Sequence, residues 1–317
     1  MRLRIILTAA LVAPLLTGCT PTSERGPRVL VFQNGSEPDS RAVITPAVLG
    51  LSLALEGSGT AVRLVGAGYE HLADDPGVVA AVVAPLTQLT PQAEDALARA
   101  NLPVYSLSWL DDGGFAPSWL RLVDPLGAQV EHLAGVARRA GDRACATGDE
   151  APGSQELLAA LTQVMALQPG VATDCDVVVW TGTATGAAAL RGRMGAAIQL
   201  VLADRARTDG YLEAVWPHGA GTWAVCSCVD LSTSSDPQAQ SFIHDYQEFT
   251  GLDAGPWAAE GFDVGHMVLG NGTAETLGGP YDWDARGVPQ TPLVRIYRAT
   301  GARWLEQPAV VMQAPAG

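Results

Sequence analysis

Residues 236–268, DPQAQSFIHDYQEFTGLDAGPWAAEGFDVGHMV, decide how the rest of the chain is read. Asp236 offers a side-chain oxygen to the free amides of a first helical turn. Pro237, at the first helical position, loses nothing because its missing N–H had no partner. Ala239, Phe242, Ile243, Tyr246 and Phe249 then recur at helical spacing, and Gly251 ends the helix. That apolar stripe is a core face, not a cofactor box. A Gly-Pro-Trp joint (255–257) leads into a second helix carrying Phe262 and Asp263.

Working outward, Thr90-Pro91 and Asp124-Pro125 repeat the same helix-starting device. Short apolar runs predict strands at 29–32, 61–65, 78–84, 104–107, 144–147, 177–180, 198–202 and 222–226. Helix-period stretches lie between most of them, at 43–55, 92–99, 126–139, 155–167 and 187–194. Strand alternating with helix predicts an α/β fold, parallel sheets with helices on both faces. In such sheets ligands meet the loops at the carboxyl ends of strands. Two turns, 111–114 (Asp-Asp-Gly-Gly) and 149–153 (Asp-Glu-Ala-Pro-Gly), therefore mark where function is sought.

The 317 residues, 48% of them hydrophobic, are enough for two lobes of ordinary size. The net charge of −14 repels phosphate backbones and argues against nucleic acid as a partner. All 19 basic residues are arginine. Without lysine, Schiff bases, the phosphate-loop lysine and the Ser-x-x-Lys nucleophile are excluded. His71, His132, His218, His244 and His266 are scattered, and Gly57-Ser58-Gly59 lacks the spacers of a nucleophile elbow. No catalytic role, metal or cofactor is expected.

At the start of the chain, Arg2 and Arg4 precede an apolar run (5–16) too short to span a bilayer, followed by Thr17, Gly18 and Cys19. This order resembles the bacterial lipobox. The resemblance implies a lipoprotein signal peptide over 1–18, acylation of Cys19, a tether over 19–27 and an extracytoplasmic protein anchored to the cell membrane. The other cysteines, Cys145, Cys175, Cys226 and Cys228, form an even set for an oxidising compartment, so disulfides are expected. Of three possible pairings, Cys145 with Cys175 suits two strand starts in one region. Cys226-Ser227-Cys228 then forms a tight local bridge or stays reduced.

Taken together, VVAAVVAPLTQLTPQAEDALARANLPVYSLSW (78–109), DVVVWTGTATGAAALRGRMG (176–195) and 236–268 resemble the type I periplasmic binding proteins. The branch they resemble binds branched-chain amino acids for an ABC importer. YDWDARGVPQTPLVRIYRATGARW (281–304) is similar to that family's closing hairpin. The resemblance implies two Rossmann-like lobes, one of 28–122 and 231–281, the other of 126–228 and 289–317. Three crossovers would join them near 123–125, 229–230 and 282–288. An amino acid-like ligand would lie in the cleft, and an ABC permease would be the partner.

The same resemblance places ligand contacts. Thr87 and Gln88 would offer donors to a carboxylate, as would Ser106 and Ser108. Asp204 would take the ammonium, and Trp257, with Trp109 beside it, would form an aromatic wall. Thr183 stands near the position of a family tyrosine, and Pro152-Gly153 replaces a family Tyr-Gly, so two customary contacts are absent. Plainer roles stay open. Asp204 would be a loop charge paired with Arg205 or Arg207, Trp257 a cap on a core helix, and Thr87 and Ser106 partners for turn backbone. Glu260 and Asp263 read as a solvated or hinge-facing pair rather than an acid/base couple. A solute-binding protein needs an open space between the lobes. A cleft filled by the chain's own side chains would instead point to a sensor or cell-surface scaffold.

Overall fold

The computed structural model describes residues 26–33, 38–110, 118–165, 175–270 and 276–308. The leader, Cys19, most of the tether and the 111–114 turn lie outside the described residues. The first sheet contains β1 (Arg28–Phe32), β2 (Ala61–Val65), β3 (Val78–Val83), β4 (Val104–Ser106) and β5 (Trp119–Arg121), all parallel, in the order β2-β1-β3-β4-β5. The second contains β6 (Ala144–Thr147), β7 (Val177–Trp180), β8 (Gln199–Leu202), β9 (Trp223–Cys226), β10 (Arg295–Ala299) and β11 (Trp304–Gln307). Its order is β11-β10-β9-β8-β7-β6, with the parallel set closed by an antiparallel hairpin. All four residues of β7 are buried, as are the last four of β1, which is why they read as unbroken apolar runs.

Eight α-helices cover the described parts of these sheets. They are α1 (Pro38–Ala54), α2 (Pro91–Ala100), α3 (Leu126–Ala140), α4 (Ser154–Met165), α5 (Ala184–Arg191), α6 (Asp209–Val215), α7 (Pro237–Thr250) and α8 (Ala258–Val268). The caps form as expected at two of the three Pro starts. Thr90 accepts from the Ala93 amide at 3.1 Å, and Asp236 from the Gln238 amide at 2.9 Å. Gly251 closes α7 with φ 71°, a left-handed conformation that glycine adopts without penalty.

Asp124 corrects the third expectation. Pro125 is the cap residue of α3 and no side chain caps that helix. The Asp124 carboxylate instead accepts the Leu293 amide at 2.6 Å, from a segment 169 positions away. A long-range amide left buried without a partner costs more than one at a helix end, where other acceptors are near, so the tertiary bond takes the carboxylate. Two further elements were not predicted. Strand β5 has only three residues, too few to show alternation, and α6 has only seven, capped by Thr208.

The chain passes between the sheets after β5, after β9, and between α8 and β10. Helices α7 and α8 return to pack on α1. A Cβ on Gly50 would lie 2.0 Å from the Ala258 carbonyl oxygen, and one on Gly261 2.0 Å from that of Ala47. Helices α1 and α8 cross this closely only because both positions lack side chains.

Candidate functional site

The loops leaving β4, β6 and β8 converge between the sheets. After β4 the chain tightens into a serine-bonded turn. Ser106 Oγ accepts the Ser108 amide at 3.2 Å and donates to the Ser108 carbonyl, and Ser108 Oγ accepts the Leu110 amide at 3.2 Å. Both serines are buried, and their hydroxyls serve backbone, which is the plainer of the two roles considered. The turn projects Trp109 and Leu110 toward the second sheet.

Trp109 Nε1 donates to Asp204 Oδ2 at 2.7 Å across 95 residues of sequence. Asp204 begins the short 3₁₀ turn after β8, and its other oxygen accepts the Arg205 amide at 2.8 Å. Trp109 is 3% exposed and Asp204 2%. Burial pushes the Asp204 carboxyl up to about 6, against the lowering effect of the Trp109 N–H, the Arg205 amide and the Arg205 charge. Leu110 packs on the backbone of Gly153, where a Cβ would meet its methyl at 2.5 Å. Arg205 reaches the same turn, donating to the Pro152 carbonyl at 2.9 Å. Trp109 and Leu110 thus occupy the space between the sheets at this point. Buried residues of both sheets, Trp109, Leu110, Ala203 and Ala206 among them, form one continuous apolar cluster.

The other sequence candidates divide. Thr87 is buried in the turn after β3, its amide bonded to the Ala84 carbonyl at 3.2 Å. Gln88 is exposed, beside Gln33 and Gly66. Thr183 caps α5 and gives its amide and hydroxyl to Asp149 Oδ2 at 2.8 and 2.7 Å. Burial raises the Asp149 carboxyl, but these donors and the Ala151 amide outweigh it and hold it below its ordinary value. Trp257 is buried in the core at the cap of α8, with φ 74°. Leu110 and Asp149 were not singled out by sequence. Nothing marks a leucine as an interlobe contact, whereas Asp149 stood in a turn already flagged.

Behind the cleft, buried carboxylates hold the crossing segments. Glu260 Oε1 accepts the Val229 amide at 2.6 Å. Asp263 accepts the Leu277 and Gly278 amides at 2.9 and 2.7 Å and the Tyr281 hydroxyl at 3.2 Å. The pair is therefore hinge-facing, not solvated. Beside it Arg207 pairs with Asp230 and stacks over Tyr297 at 4.3 Å, and the Tyr297 hydroxyl donates to the Cys228 carbonyl at 2.7 Å. Cys145 and Cys175 have Cα atoms 5.9 Å apart and Cys226 and Cys228 5.1 Å, each pair with its sulfurs in contact.

No protein-family model matches the sequence, and neither does any curated protein. Solved structures do match. A leucine-binding protein LivK from Thermotoga maritima MSB8 has TM-score 0.66 and 14% identity, covering 89% of this chain and 98% of that one. The branched-chain amino acid transporter substrate-binding protein LivJ from Streptococcus pneumoniae, in complex with isoleucine, has TM-score 0.65 and 13% identity, over 89% and 100%. An ABC transporter solute-binding protein from R. palustris, in complex with benzoate, has TM-score 0.63 and 14% identity, over 89% and 95%. The chain has the two-sheet fold of type I periplasmic binding proteins of the branched-chain amino acid transporter type. These neighbours are solute-binding proteins, not enzymes. At such identities the likeness is one of fold.

Proposed function

We propose that the protein is an extracytoplasmic, lipid-anchored solute-binding protein that delivers a small polar solute, an amino acid or similar, to an ABC importer. The lobes are 28–122 with 231–281 and 126–228 with 289–317, hinged at 123–125, 229–230 and 282–288. Cys19 carries the lipid, and the pairs Cys145–Cys175 and Cys226–Cys228 are disulfides. One observation carries the reading: the bond from the Trp109 indole N–H to the buried Asp204 carboxylate, which bridges the lobes at the carboxyl end of β8. An N–H donor on a buried acid is the chemistry by which a ligand ammonium would be held, so a solute exchanges with Trp109 at Asp204 as the lobes part. Of the other sequence candidates, Ser106 and Ser108 support that space by shaping the turn that carries Trp109, and Thr183 by holding Asp149; Thr87, Gln88 and Trp257 are ligand contacts only as the lobes part.

A second reading is favoured by the packing of Trp109 and Leu110 against Asp204 and Gly153. With the cleft permanently filled, the protein is a sensor or cell-surface scaffold that binds no solute. Thermal shift and calorimetry across an amino acid panel, on wild type and Trp109→Ala, separate the two. The transport reading expects saturable binding to wild type that Trp109→Ala tightens and Asp204→Asn abolishes. Absence of binding to both wild type and Trp109→Ala overturns it and leaves the scaffold.

A further inference from the structure

At the opposite end of β8 from Asp204, the carboxyl ends of α5 and α6 and the amino ends of β8 and β9 line a half-open cavity of about 490 Å³. That is the size of a small-molecule site. Its wall includes Met194, Ile198, Val215 and Trp216 as apolar surface and Arg191 and His218 as polar groups. Although the chain has a net charge of −14, no Asp or Glu among the described residues lines this cavity.

Arg191 is held in place without being neutralised. Its Nη1 donates to the Ile198 carbonyl at 2.9 Å and its Nη2 to the Gly195 carbonyl at 3.2 Å. Its Nε is buried with no hydrogen-bond partner among the described residues. Arg28, Arg143, Arg207, Arg286 and Arg295 have carboxylates within ion-pair distance; among the described residues Arg191, like Arg193 and Arg298, has none. Trp216 is 61% exposed, yet its ring rests on Gly301 in the β10–β11 turn, where a Cβ would come within 3.1 Å of it. A large apolar face and an unneutralised guanidinium thus share one cavity wall.

We propose that this cavity is a second binding site, distinct from the interlobe cleft, for an amphipathic monocarboxylate. The carboxylate lies against the remaining Nη hydrogens of Arg191, a charge-assisted contact, with His218 beside it. The apolar body covers Met194, Ile198, Val215 and the Trp216 ring. A zwitterionic amino acid is not the ligand here, because among the described residues no acid lines the cavity to take its ammonium. The two sites therefore have opposite electrostatic requirements.

The test uses 4-phenylbutyrate and its uncharged amide as probes, titrated into the mature protein by calorimetry with Trp fluorescence in parallel. The carboxylate is expected to bind one to one, and the amide at least about tenfold more weakly, a difference of about 1.4 kcal/mol. Arg191→Gln is expected to weaken the carboxylate about tenfold. Because that change also loosens the 192–198 loop, Ala220→Phe is the second variant. Ala220 is an exposed cavity-lining residue, so the ring blocks the site without entering the core. Equal binding of carboxylate and amide would overturn the proposal. So would wild-type affinity in both variants, or the lack of any saturable signal up to about 10 mM.

Discussion

Removing the charge from Glu260 is expected to flatten the pH dependence of stability. This carboxyl sits on α8, 1% exposed, and takes the Val229 amide on one oxygen, while the other has no hydrogen-bond partner among the described residues. Burial pushes it from 4.5 up to about 8. The Asp263 charge adds to the rise, and its own and the Val229 backbone amides and the Arg295 charge oppose it. Asp263 is raised in the same way to about 7, despite its two amides and the Tyr281 hydroxyl. Between these values and the unfolded ones, the folded state binds more protons than the unfolded chain. Its contribution to stability is therefore full below about pH 4.5 and is lost as pH rises through about 8. At about 1.4 kcal/mol per pH unit, Glu260 alone removes on the order of 3–5 kcal/mol by the upper end of that window. Urea unfolding of the protein at pH 5, 6, 7 and 8, at constant ionic strength, measures this. Glu260→Gln keeps an acceptor for Val229 and carries no charge at any pH. It is expected to lose roughly 40–50% of the wild-type decline between pH 5 and 8, with Asp263 and Asp204 supplying most of the rest. A slope in Glu260→Gln equal to that of wild type would refute the reasoning, because it would show that Glu260 is ionised and solvated in the folded protein.

Two other substitutions probe the packing and the cross-links. Gly261→Ala places a methyl carbon 2.0 Å from the Ala47 carbonyl oxygen, backbone that cannot swing aside, so α1 and α8 must separate. A loss of about 3 kcal/mol or more is expected in chemical denaturation, and a neutral result would mean that the helices cross less closely. Cys145→Ser with Cys175→Ser opens the proposed disulfide loop of sequence separation 30, which should cost about 3–4 kcal/mol on the chain-entropy account. Under reducing conditions, where Cys226–Cys228 is open in both, thermal unfolding of this variant should match that of wild type; a variant far less stable would place the effect in packing instead.

Much of the fold is legible in local signals because they are local physics. Asp236-Pro237 and Thr90-Pro91 start helices through hydroxyl or carboxylate groups that reach amides two or three residues on, and Gly251 ends one through its own φ. Buried parallel strands such as β7 announce themselves as four apolar residues in a row. The same logic fails at Asp124, where the cap motif is intact but a backbone amide 169 residues away claims the carboxylate. It fails again at β5 and α6, which are too short to show a period.

The candidate site divides along the same line. From sequence alone came the residue types at the carboxyl ends of the strands, the acid at 204 and the aromatic at 109, together with the exclusion of lysine chemistry. Only the tertiary structure decided that Trp109 and Asp204 bond to each other, that Ser106 and Ser108 turn their hydroxyls onto their own loop, and that Glu260 and Asp263 grip the crossing segments. A hydrogen-bonding side chain does not specify its partner. Which donor reaches which acceptor depends on what burial brings within about 3 Å, and that is set by the packing of segments far apart in the chain.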